Sequence, residues 1–400
     1  MTIGEERHTD WTGSGIAGGA LFHTTEFKLL ARCVHWPQGP DDRHQVGKLA
    51  AAIKDWQRFL ALVRQHRVAG LVNGALTLSG ATMPDAHNRE LAATARQDGL
   101  KELLLLNETL RLTGLLDASG IPVTILKGAE LALRIYGRLG IRPSADIDLL
   151  VPLEHVEGAS QLLASDGYRR VEIADDADPR VLSRHVKIHK DFVFVHPARD
   201  TPIELHWRLF QNPYLFPAAA SREREALVIG GRTVGVLPRE LEFLYLCVHG
   251  AEHGWMRLKW LADIGAALRS GWVSAEEIYE AARRLGLTRV VGPGLLLSNR
   301  LLETPLPSKL MQDMGSDWRM RRLFMHASDY LVGKEDGVEL EDRIEERTRK
   351  NLDHYLFSSD VRFLAREFRY DILDRSRGER NLAERTVKLA GRLAALVSRR

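Results

Sequence analysis

Two aspartates, Asp146 and Asp148, stand two residues apart at the head of the apolar run in RPSADIDLLVP (142–152). In a β-strand, side chains at i and i+2 leave the same face with Cα atoms roughly 6.5–7 Å apart, so these two carboxylates aim at one point. Paired carboxylate oxygens suit a hard divalent cation such as Mg²⁺ shared between protein and nucleotide phosphates. D-x-D pairs also occur on solvated turns, and the neighbouring residues decide between the two settings. Upstream, 123–126 is a short β-type apolar run that stops at Lys127-Gly128, and 129–136 has helical composition. This pattern predicts strand, tight glycine turn and helix, a place where phosphate can approach the backbone closely. Lys127 adds a full positive charge, and Arg142 offers a planar fork to phosphate oxygens from the loop that delivers the aspartates. Downstream, PIELHW (202–207) follows a turn-like PARD (197–200). Its alternation puts Ile203 and Leu205 on one face and a third carboxylate, Glu204, with His206 on the other.

These pieces resemble the nucleotidyltransferase superfamily founded on DNA polymerase β, and within it a group of small bacterial proteins labelled uncharacterised nucleotidyltransferases. The resemblance is carried by LKG (126–128), RPSADIDLLV (142–151), IELHW (203–207) and HGAEHGWMRLKWLADI (249–264), in that order. It implies an α/β (α+β) fold: a polymerase β-like core with a mixed sheet, flanked by N- and C-terminal helical regions. It further implies that Asp146, Asp148 and Glu204 are the catalytic, metal-holding carboxylates of a two-ion centre for Mg²⁺ or Mn²⁺, with an NTP as substrate. Lys127, Gly128 and Arg142 are then expected on the nucleotide phosphates. In the wider superfamily a Gly-Ser follows the first strand; here Ala129 follows Gly128, and the role of the missing hydroxyl falls to Lys127. His206, Trp260 and Asp263 are expected on the acceptor side, where a hydroxyl of a small molecule, peptide or protein receives the nucleotide. A non-catalytic nucleotide sensor is kept open by the absent serine. A D-x-D glycosyltransferase would need neither the Lys-Gly turn nor the third carboxylate.

The elements that must position these residues follow from periodicity. A polar, glycine-rich tail is expected over 1–24, a helical region over 25–119, the nucleotidyltransferase core over 120–237 and a helical domain over 238–400. Within the core, 153–166 is amphipathic, Gly167-Tyr168 reverses the chain, and 186–204 holds two β-like runs. Leu241, Leu244, Tyr245 and Val248 share one face of a following helix. The histidines at 185, 189 and 196 lack a cysteine or matched spacing for zinc, and His249 and His253, spaced i, i+4, lack the H-E-x-x-H order. Stretch 334–350 reads as a solvated charged helix or loop, and 385–400 as a basic amphipathic helix packed on the body.

Four hundred residues, 44% hydrophobic, exceed one typical domain. Only Cys33 and Cys247 are present, which supports no disulfide framework and points to a reducing cytoplasm. No secretory leader pattern and no long uncharged apolar run is read, so no transmembrane segment is expected. The net charge of +3 from 56 basic and 53 acidic residues argues against a strongly electrostatic duplex-binding surface, leaving nucleic acid a minor option.

Overall fold

A computed structural model describes residues 22–174, 178–216, 222–332 and 344–373. The tail expected over 1–24 therefore lies, up to residue 21, outside the described residues, as do the basic stretch 385–400 and most of the charged stretch 334–350.

The chain begins with helices α1 (Thr25–Cys33), α2 (Pro40–Ala51), α3 (Trp56–His66), α4 (Ala69–Ser79) and the 34-residue α5 (Asp85–Ala118). Starts are capped where the sequence offers a short oxygen side chain: Thr24 accepts from Phe27 N at 3.3 Å and Asp55 from Arg58 N at 2.9 Å. Strand β1 (Thr124–Ile125) leads through the Lys-Gly turn into α6 (Ala129–Leu131), which continues as a π-helical turn, Ala132–Tyr136. Then come β2 (Ile147–Leu150), α7 (Val156–Ser165), β3 (Arg169–Arg170), α8 (Pro179–Ile188), β4 (Asp191–His196), β5 (Arg199–His206), β6 (Glu225–Ile229) and β7 (Arg232–Val236). The two β-like runs expected within 186–204 are β4 and β5, the first beginning at Asp191. Asp178 caps α8 by accepting from Arg180 N at 2.6 Å, Pro179 opens it, and the helix holds to Ile188.

One mixed sheet results, with spatial order β3-β4-β5-β2-β1-β7-β6. β2 and β5 are parallel, as are β1 and β7; the remaining pairs are antiparallel. The β6–β7 hairpin turns on Gly230 and Gly231 with φ of 58° and 78°, the double left-handed turn that matches strand twist. After the sheet, α9 (Arg239–Glu252), α10 (Leu258–Arg269), α11 (Ala275–Leu285), α12 (Thr288–Leu302), α13 (Ser308–Ser316), α14 (Trp318–Val332), α15 (Ile344–Asp353) and α16 (Val361–Leu373) complete an α+β fold with helical regions on both flanks. Among the described residues no helix is long and apolar enough to cross a membrane.

The sheet separates two cores, and strand alternation assigns each residue to one of them. Ile147, Leu149 and Val151, with Ile203 and Leu205, pack with Leu105, Leu112 and Leu116 of α5 and Val156, Ala159 and Leu163 of α7. Leu150 belongs to the other core, with Leu244, Tyr245 and Val248 of α9. Asp148 and Glu204 therefore leave the sheet on the side of the C-terminal helices. A one-residue slip of β2 would drive Asp148 into the α5–α7 core and turn Ile147 and Leu149 toward Lys127 and His206, so burial fixes the register of the carboxylates.

The loop ahead of β2 is clamped by close backbone approach. A side chain at Gly70 on α4 would meet Gly140 O and Ile141 Cα at 2.6 Å. Glu102 of α5 holds the same loop by accepting from Gly140 N at 2.6 Å.

Candidate active site

Asp148 lies on β2 and Asp146 just before it, and both converge on Lys127 at the end of β1. Lys127 Nζ is 2.5 Å from Asp148 Oδ2 and 3.4 Å from Asp146 Oδ1. Burial works against the ammonium, but Asp148, Asp146 and Glu204 outweigh it and hold the Lys127 pKa above its usual value. Gly128, the next residue, has φ 117° and ψ −140°, a region open to glycine and strained for any residue with a Cβ. Ser144 approaches this turn: its Oγ is 3.8 Å from where a Cβ on Gly128 would stand. A hydroxyl is thus present at the turn although Ala129 supplies none. Lys127, Gly128, Ser144 and Asp146 also border a small cavity, with room for about one water, that Glu102, Glu130 and apolar residues of α5 share. Burial lifts the Glu102 pKa to about 7, and burial together with Glu242 lifts that of Glu130 well above the usual carboxylate range. These carboxyls are therefore much weaker sources of negative charge at neutral pH than their number suggests.

β5 supplies the opposite half of the centre. Parallel pairing sets Asp148 against Glu204 and Leu150 against His206. His206 Nε2 lies 3.0 Å from Asp148 Oδ1 and 3.2 Å from Glu204 Oε2, and Nδ1 faces Asp191 Oδ2 at 3.6 Å. Burial alone would lower the imidazole's pKa; the hydrogen bonds to Asp148 and Glu204 and the charge of Asp191 bring it up to about 9. Burial would raise the carboxyl of Glu204, but His206 and Lys127 lower it to about 2. The two strands thus present charged carboxylates balanced by two cations.

Helices α9 and α10 cover this face. Lys190, just before β4, pairs with Glu252 at the end of α9 at 3.1 Å. On the same wall His253 stacks on Trp260 at 5.1 Å between ring centroids, with the His249 ring edge-on to Trp260 at 5.7 Å. Burial, His253 and the ammonium groups of Lys127, Lys190 and Lys259 hold the His249 pKa well down, which shows how near α9 stands to the carboxylate centre. Burial lowers the Lys259 pKa to about 7, and Arg142 and Lys127 add to the effect.

Asp146, Asp148, Glu204, Lys127, Gly128 and His206 are brought together around one point. Arg142 and Asp263 are placed with each other: Arg142 Nε donates to Asp263 Oδ2 at 2.9 Å, and Tyr136 donates to Asp263 Oδ1 at 2.8 Å. Trp260 stands in the aromatic wall. Trp207 is a core residue, its Nε1 donating to Val186 O at 3.2 Å. The histidines at 185 and 189 stack on each other at 3.9 Å, while His196 sits against Tyr168, so these three do not converge. Sequence reasoning did not single out Asp191, Lys190, Ser144 or Lys259. The last two lie inside the motifs quoted for the resemblance and were legible there as polar residues among apolar neighbours; nothing local marks Lys190 or Asp191, which reach the site only through strand pairing.

An α+β fold whose mixed sheet sets acidic side chains from adjacent parallel strands against a lysine-glycine turn defines a nucleotidyltransferase class. The chain belongs to the family described as uncharacterised nucleotidyltransferase, whose model matches residues 53–303. That span takes in α3 to α5 as well as the sheet and the covering helices. No curated protein matches the chain.

Proposed function

We propose that the protein transfers a nucleoside monophosphate from an NTP to an acceptor hydroxyl, of a small molecule, a peptide or a protein side chain, releasing pyrophosphate. The observation that carries this reading is the convergence of Asp146 and Asp148 on Lys127, with Glu204 beside Asp148 on the parallel neighbour strand. Asp146, Asp148 and Glu204 would hold two divalent ions, Mg²⁺ or Mn²⁺. The donor set fits such ions: it is rich in carboxylate oxygen, with the buried Asp148 presenting Oδ2 toward Lys127 and Oδ1 toward His206 beside Glu204. When bound, the ions supply Lewis acidity to the α-phosphoryl group and a lowered pKa to the acceptor hydroxyl.

The chain's own residues do the rest. The Gly128 turn and the Ser144 hydroxyl approach the phosphates closely without a side chain in the way. Lys259, whose ammonium is disfavoured by burial, Arg142 and Lys127, forms with Lys127 a cationic side where a triphosphate would relieve the repulsion. Charge building on the leaving pyrophosphate is met by ammonium groups already held in place. The His253–Trp260 stack offers a flat wall on the acceptor side. Arg142 and Asp263 act from behind, holding the loop ahead of β2 to α10. The catalytic core is taken as 120–237, with its polymerase β-like relationship carried over from the motifs. The two cysteines are free and buried, in keeping with a reducing cytoplasm.

Pyrophosphate release should be followed with each NTP in Mg²⁺ or Mn²⁺, in wild type and Asp146→Asn. Release by wild type that falls at least a hundredfold in the variant supports the reading; equal release from both contradicts it.

A further inference from the structure

His206 stands inside the carboxylate centre rather than at its edge. One ligand atom each from Asp148, Glu204 and His206 lie within 4.8 Å of one another, and among the described residues no other group of three such side chains does so. Lys127 engages Asp148 through Oδ2, whereas Oδ1 faces His206. The ring is 1% exposed, and its second nitrogen, Nδ1, takes no hydrogen bond from the described residues but faces the Asp191 carboxylate at 3.6 Å. A carboxylate behind an imidazole is the arrangement that fixes the tautomer and orientation of a ring whose other nitrogen binds a metal.

We infer that His206 is a nitrogen ligand of the divalent-ion site and that the Asp148–Glu204–His206 set favours a first-row transition ion, with Mn²⁺ as its probe, over Mg²⁺. Mg²⁺ takes oxygen ligands and keeps its waters, while imidazole suits the more polarisable divalent ions. This rests on the reading of Asp148 and Glu204 as metal carboxylates given above.

The test uses the full chain without nucleotide. Mn²⁺ binding is followed by electron paramagnetic resonance, Mg²⁺ is used as competitor, and pulsed measurements look for ¹⁴N coupling to the bound ion. Wild type is expected to prefer Mn²⁺ by tenfold or more and to show ¹⁴N coupling, a readout that needs no variant to fold. His206→Gln should lose the coupling and about ten- to hundredfold in Mn²⁺ affinity, with Mg²⁺ affinity changed little, so that the preference collapses; Asp191→Asn should lose about tenfold. Mn²⁺ bound to wild type without ¹⁴N coupling, and a preference unchanged in His206→Gln, would overturn the inference while leaving the carboxylate site in place. Wild type that binds neither ion would remove both.

Discussion

Arg142 and Asp263, 121 residues apart in the chain, form a buried ion pair in which Arg142 Nε reaches both carboxylate oxygens, at 2.9 and 3.1 Å. With Tyr136 on the same carboxylate, the pair ties the loop that delivers Asp146 and Asp148 to α10. Removing one partner strands a charge in the interior, a change that costs about 3–5 kcal/mol. Urea unfolding of Arg142→Met and of Asp263→Leu should each show a loss of that size, and the double variant should recover part of it. Single losses below about 1 kcal/mol, the range of exposed pairs, would mean that the pair is solvated.

Asp146 and Asp148 should separate activity from stability. Asp148 is 1% exposed and neutralises Lys127 and His206, whereas the Asp146 side chain is 28% exposed. Both Asn variants are expected to lose NTP turnover by roughly a thousandfold, since several kcal/mol of transition-state stabilisation go with a metal ligand. Only Asp148→Asn should also lose about 3 kcal/mol or more in an unfolding titration. Parallel losses of stability in the two variants would contradict the difference in burial.

The protonated His206 ties metal-free stability to pH. Its folded pKa of about 9 stands above the ordinary 6.5, so the folded chain holds this proton more tightly. The contribution is complete below pH 6.5 and is lost as pH rises through 9; the gap between the values corresponds to about 3 kcal/mol. Lys259, lowered to about 7 from 10.5, works in the opposite sense, adding stability as pH rises over the alkaline range. The quantity to measure is therefore the unfolding free energy of wild type minus that of His206→Gln, in chelator, at pH 6 and at pH 9.5. It should be larger at pH 6, and a difference that does not change with pH would show that the imidazole is not charged in the folded protein.

The carboxylate half of this site was legible because it follows from alternation: Asp146, Asp148 and Glu204 fall at i, i+2 spacings within runs whose intervening residues are apolar. The same alternation gave the facing of His206. The glycine turn was legible from composition, and the structure adds its reason in the positive φ of Gly128. The fate of Arg142 and Asp263 was not legible, because an ion pair across 121 residues depends on how α10 folds back over the sheet, which no local pattern encodes. Ser144 and Lys259 could be seen only as members of a motif, since their chemistry comes from neighbours on other elements. The two β-like runs within 186–204 are β4 and β5; where the first begins was not legible, because a short apolar run such as 186–188 serves a helix end as well as a strand.

Lys259 should bind the triphosphate. No carboxylate among the described residues forms a salt bridge with it; its ammonium donates to Pro143 O at 3.4 Å and lies near Lys127 and Arg142. A bound polyanion would restore its proton. Calorimetric titration of Lys259→Met with NTP at pH 7 is expected to show affinity weaker by about tenfold, equivalent to 1.4 kcal/mol, with stability equal to wild type or higher. Unchanged nucleotide affinity would remove Lys259 from the phosphate side.

The most direct test of nucleotidyl transfer is the fate of label placed at two positions of the same nucleotide. Each NTP, labelled on the α-phosphate in one reaction and on the γ-phosphate in another, is incubated with the protein, Mg²⁺ or Mn²⁺ and a cell-extract acceptor pool. The account predicts α-label on an acceptor and γ-label in pyrophosphate, both abolished by Asp146→Asn. Label reaching an acceptor from the γ-position, or α-transfer that survives Asp146→Asn, would contradict it.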